Sequence, residues 1–135
     1  MVLRFLSAYR DPGLLLMRAG LGAMMIAHGW PKMVGGPRTW EQLGGAMAHL
    51  GVTFAPVMWG FLAASAETVG GALMVLGLLF RPATAMLFFT MVVAGVMRFR
   101  LSGGEFLDWA WPAEMAVVFL GLFIIGPGRF SLDRS

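Results

Sequence analysis

The sequence predicts an all-α membrane protein: an antiparallel bundle of four transmembrane helices with a short interfacial amphipathic helix between helices 1 and 2. Two observations carry that expectation. Hydrophobic residues make up 59% of the 135-residue chain and charged residues only 13%, whereas a soluble domain averages about 45–50% and about 25%. The apolar residues also gather in four blocks, each near the ~20 residues that a helix rising 1.5 Å per residue needs to cross ~30 Å of hydrocarbon. The whole chain, 1–135, reads as one membrane domain, with spans at about 13–34, 56–79, 82–101 and 110–126.

The first block follows basic Arg4 and Arg10, as in a secretory leader, but Arg18 interrupts it and no small-residue cleavage site closes it. It is therefore taken as a span. Pro12, Pro56, Pro82 and Pro112 lie at or near the four block starts, where a missing amide N–H costs little because first-turn donors lack intrahelical partners. Between the first two blocks, Trp40, Leu43, Met47 and Leu50 recur at helical spacing, which predicts an amphipathic helix over residues 39–50 lying on the membrane surface. Phe80-Arg81 alone separates the second and third blocks, so these form a hairpin. Residues 102–109 then lead to the fourth block.

Flanking charge sets orientation. The side with the N-tail, the hairpin and the C-tail carries five basic residues, Arg4, Arg10, Arg81, Arg129 and Arg134, and the other side four, Lys32, Arg38, Arg98 and Arg100. The expectation is a bacterial inner-membrane protein with both termini cytoplasmic.

Composition also excludes functions. The net charge of +3 comes from scattered basic residues without a stripe, which argues against nucleic acid. Zero cysteines remove disulfides, CxxC relays and thiolate metal sites. Only His28 and His49 are present, in different segments, so no metal or haem site is expected. The twelve methionines read as packing and lipid-facing residues.

Ionisable groups at hydrocarbon depth cost about 2.5–3.5 kcal/mol each on insertion scales, so Arg18, His28, Glu67 and Glu114 call for partners or a purpose. Counting helical rise puts Arg18 roughly 8 Å in from the terminal side and Glu67 roughly 16 Å in from the other. They are expected to form a structural intramembrane pair, which fixes register even if it does no chemistry. Ala19, Ala23 and Ala27, facing Ala66 and Gly70, supply the small-residue ridge that brings these two helices together. His28, Lys32 and Glu114 fall near the opposite face and, with Trp30, Trp109 and Trp111 as walls, form a candidate ligand-binding cluster if the first and fourth spans are neighbours. Lysine and histidine offer donors and a carboxylate accepts protons, which suits a quinone head group.

The order Arg18-Ala-Gly-Leu-Gly22, His28-Gly-Trp-Pro-Lys32, Glu67-Thr-Val-Gly-Gly71, Gly77-Leu-Leu-Phe-Arg81, Glu114 and Gly126-Pro-Gly-Arg-Phe-Ser-Leu-Asp133 resembles the DoxX family of small bacterial four-helix membrane proteins across nearly the whole chain. The resemblance implies a membrane subunit of a redox system, since relatives include a component of an archaeal thiosulfate:quinone oxidoreductase and proteins linked to oxidative or thiol stress. The expected function is binding of a quinone or other small lipophile. No cofactor is intrinsic to the chain, which is at most a subunit of a quinone-linked oxidoreductase, and the catalytic residues stay unassigned. The alternative is a non-catalytic membrane anchor or assembly partner for a soluble oxidoreductase. The bilayer is the first partner expected; a redox enzyme and further copies of the chain are the others left open.

Overall fold

A computed structural model describes residues 2–133, so Arg134 of the flank count lies outside the described residues. Among these the regular structure is all helical, with no strand. A 3-10 turn at Arg4–Tyr9 leads into α1 (Arg10–Val34), followed by α2 (Gly36–Gly44), a second 3-10 turn (Gly45–Leu50), α3 (Pro56–Leu76), α4 (Phe80–Leu101) and α5 (Phe106–Ile125). Three helices, α3, α4 and α5, are long and apolar enough to cross a membrane. α1 is longer, at 25 residues, but carries Arg10, Asp11, Arg18 and Lys32.

Element boundaries depart from the expected ones where local chemistry competes with hydropathy. The α3–α4 turn is Gly77-Leu78-Leu79 rather than Phe80-Arg81: Gly77 adopts φ +67° and its N–H donates back to the Met74 carbonyl, a glycine stop that ends α3. α5 starts four residues before Ala110 and encloses Pro112. The buried proline ring packs against Gly95 of α4. The amphipathic segment starts at Gly36 and is an α-helix only to Gly44.

Glycines decide which helices meet. α1 packs on α3 with residue numbers running in opposite senses, Gly22 against Gly71 and Gly29 against Thr68 and Glu67. A methyl group on Gly22 would stand 2.5 Å from the Gly71 carbonyl oxygen, so the backbones approach as closely as glycine permits. The alanine ridge is displaced from this contact: Ala23 and Ala27 are exposed, Ala19 is half-buried, and Gly70 faces Leu87 of α4. α2 locks onto α3 in the same way, Gly44 against Pro56 and Gly60 against the Trp40 backbone. α4 pairs with α5 and joins α3, whereas the backbones of α1 and α5 do not approach each other.

The dense core sits toward the end where the two termini lie. Leu14, Met74, Phe80, Leu87, Phe119 and Leu122 interlock there, and all but Leu14 expose no more than 1% of their surface, as does buried Thr84.

Candidate functional site

Arg18 and Glu67 do not pair. Arg18, 1% exposed, donates from Nε to the Met74 carbonyl at 3.1 Å and from Nη2 to that of Val75 at 3.0 Å, and from Nη1 to those of Pro127 at 3.0 Å and Phe130 at 2.6 Å. Glu67 instead accepts from Lys32 Nζ at both carboxylate oxygens, 2.9 and 2.8 Å. The direction of helical side chains explains the exchange. Each Cα–Cβ bond tilts toward its helix N-terminus, so Arg18 leans toward the chain start and away from Glu67, while Lys32 leans back into the bundle toward it. Arg18 thus meets the last carbonyls of α3, which have no intrahelical donor and carry the negative end of the helix dipole.

The residues after α5 complete this closed end. Ser131 sits against Gly77, Leu132 and Asp133 donate their N–H groups to the carbonyls of Leu76 and Gly77, and the Asp133 carboxylate accepts the N–H groups of Leu79 and Phe80, both at 2.8 Å. Asp133 therefore caps α4 from 53 residues away. An acidic group at a helix N-terminus is favoured by both the free amides and the dipole.

The opposite half holds a half-open cavity of about 690 Å³, bounded by α2, α3 and α4, with Lys32 from α1 and Trp111 from α5 completing it. It runs along α4 from Ala85 to Arg98, about 20 Å at 1.5 Å per residue. The contact of Gly70 with Leu87 sets the level of the two helices, and counting away from it puts Glu67 beside Thr90 and Trp59 beside Arg98. The slot is thus apolar at Ala85, Met86 and Phe89, holds the Lys32–Glu67 ion pair midway, and ends on Trp59, Arg98 and Trp111. Most of the remaining wall is apolar, as in most small-molecule sites, with Thr39, Gln42 and Thr90 as further polar residues. The Lys32 backbone carbonyl accepts the Trp40 indole N–H at 3.1 Å, which ties α1 to α2 at the cavity wall.

The Arg98 guanidinium lies 5.0 Å from the centroid of the Trp111 ring, within cation–π range. The His28 ring stacks with the same indole at 6.5 Å and 20°. Among the described residues Arg98 has no side-chain acceptor, and the Trp59 indole N–H is buried without a hydrogen-bond partner.

The expected cluster of His28, Lys32 and Glu114 is therefore not assembled as such. Lys32 is in the cavity; His28 is exposed and reaches it only through Trp111; Glu114 is exposed and Trp30 is 57% exposed, and neither lines it. Separation of α1 from α5 keeps Glu114 away from Lys32. Glu67, Arg98, Trp59 and Trp111 belong to the site. Arg98 stands in the last turn of α4 and reads from the sequence as a membrane-flank charge, although the tilt of helical side chains directs it inward.

The DoxX family model matches residues 13–100 of the chain. The chain belongs to the DoxX family. It is 32% identical over 134 residues to the inner membrane protein YphA of Escherichia coli K12, covering 94% of this chain and 92% of that protein. No solved structure matches it. The matched range includes the two polar centres, Arg18 at the closed end and Lys32 with Glu67 in the cavity. The chain is a membrane protein in contact with the lipid bilayer.

Proposed function

We propose that this DoxX protein binds a quinone or another small lipophilic molecule in the α2–α3–α4 cavity, as the membrane subunit of a redox system. The observation that carries the reading is the slot itself: an apolar channel about 20 Å long that ends in polar donors. An isoprenoid or acyl tail suits the Ala85–Phe89 end, and a carbonyl head suits the donors of Lys32, Arg98 and Trp59. The orphaned Trp59 N–H fits such a head, since a buried donor without an acceptor costs about 1–3 kcal/mol and a ligand carbonyl removes that cost. Glu67 holds the Lys32 ammonium in place and offers a carboxylate for proton exchange beside the head. A bound quinone would supply the electron chemistry; the chain's part is to hold, orient and hydrogen-bond it.

In this reading all four long helices cross the bilayer, α1 keeping its charges inside through Arg18 and Lys32, with α2 at the interface and both termini cytoplasmic. The inner membrane named for the YphA relative supports the location. The test is organic extraction of protein purified in nonionic detergent, with mass and ultraviolet spectra, followed by titration of a short-chain quinone. Saturable binding that Lys32→Met and Arg98→Gln weaken supports the proposal. If the extract holds no lipophile and no quinone binds, the chain is an anchor or assembly partner for a soluble oxidoreductase.

A further inference from the structure

Among its charged side chains the cavity has more donors than acceptors. Its three charged side chains are Lys32, Glu67 and Arg98. Lys32 and Glu67 neutralise one another, and both carboxylate oxygens are engaged. One cation is left over. Lys32 keeps a third ammonium N–H, Arg98 its fan of five guanidinium donors, and Trp59 its orphaned N–H, with Arg98 and Trp59 at one level of the slot. A site built for a neutral carbonyl needs one or two donors; an uncompensated guanidinium in an apolar slot is stabilised most by an oxyanion, which it grips through paired N–H bonds.

Resting on the lipophile-binding reading above, we infer that the ligand is an amphiphile with a monoanionic oxyanion head, a carboxylate or phosphate, which Arg98 binds against the Trp111 ring while its chain lies along Met86 and Phe89. Trp111 is the positioning residue: its ring holds the guanidinium carbon 5.0 Å from its centroid, and the guanidinium N–H groups grip the head. Free fatty acid and anionic phospholipid share this chemistry.

The test is calorimetric titration of the detergent-purified protein, at alkaline pH, with oleate, oleyl alcohol, phosphatidylglycerol and a short-chain quinone. Oleate is expected to bind about tenfold or more tighter than oleyl alcohol, the scale of a charge-assisted pair, and Arg98→Gln is expected to erase the difference while oleyl alcohol binding persists. Phosphatidylglycerol that competes with oleate identifies the phospholipid as a source; failure to compete leaves the free acid. Equal affinity for oleate and the alcohol, or a preference that survives in Arg98→Gln, overturns the inference. If quinone still binds in that case, the lipophile-binding reading stands; if none of the four binds, both fall.

Discussion

The two ends of the molecule each contain an arginine, and the contrast between them separates architecture from function. At the closed end Arg18 is buried, with four backbone carbonyls as acceptors, and the neighbouring core is dense. At the open end Arg98 lies over Trp111 beside a cavity of about 690 Å³, without a side-chain acceptor among the described residues. A saturated arginine fixes structure, because nothing remains for it to bind. An unsaturated one beside an apolar slot has capacity in reserve.

Substitutions can break or sharpen this comparison. The largest effect is expected for Arg18→Gln. Each buried carbonyl left without a donor costs about 1–3 kcal/mol, so a loss of roughly 3 kcal/mol or more should appear in a denaturation titration in mixed micelles. A near-neutral result would dissolve the distinction between the ends. Next comes a double-mutant cycle. Lys32→Met with Glu67→Gln should show a coupling of about 1–2 kcal/mol, whereas Arg18→Gln with Glu67→Gln should add within about 0.5 kcal/mol, as unlinked sites do. Coupling in the second cycle instead of the first would restore the pair that the side-chain directions rule out.

Asp133→Asn removes a charged cap from α4 and should cost about 1 kcal/mol, with faster amide exchange confined to the first turn of α4. The smallest effects belong to the exposed residues. His28→Ala and Glu114→Gln should each shift stability by no more than about 0.5 kcal/mol in the same titration. A loss of several kcal/mol from Glu114→Gln would mean that its carboxylate has a partner in the assembled membrane protein.

Much of the helical architecture is legible in the sequence, because runs of ~20 apolar residues have few alternatives in a bilayer. The boundaries shift where a turn residue overrides hydropathy, as Gly77 does in ending α3 and Pro112 does in staying inside α5. The importance of Arg18, Lys32 and Glu67 is also legible, since a charge within an apolar block is costly wherever it points. Their partners are less so. Depth counting places Cα atoms, but arginine and lysine side chains span several ångströms, and their tilt toward the helix start decides which neighbour they reach. The packing faces are hidden for a similar reason: alanine and glycine both look small in a sequence, yet only glycine admits the approach seen between Gly22 and Gly71. Arg98 is hidden because a basic residue in a last helical turn looks the same whether it snorkels outward or turns in.

The closed end has a consequence for the order of assembly. Two of the four carbonyls that receive the Arg18 side chain belong to Pro127 and Phe130, more than 100 residues downstream. During synthesis α1 is therefore made with an arginine that half its final acceptors cannot yet reach, and its guanidinium stays with other acceptors until residues 127–133 leave the ribosome. The closing step is the docking of that segment, which in one movement satisfies Arg18 and caps α4. Before it the helices can be threaded but not locked, so a chain cut short after α5 would stay open to membrane quality-control proteases.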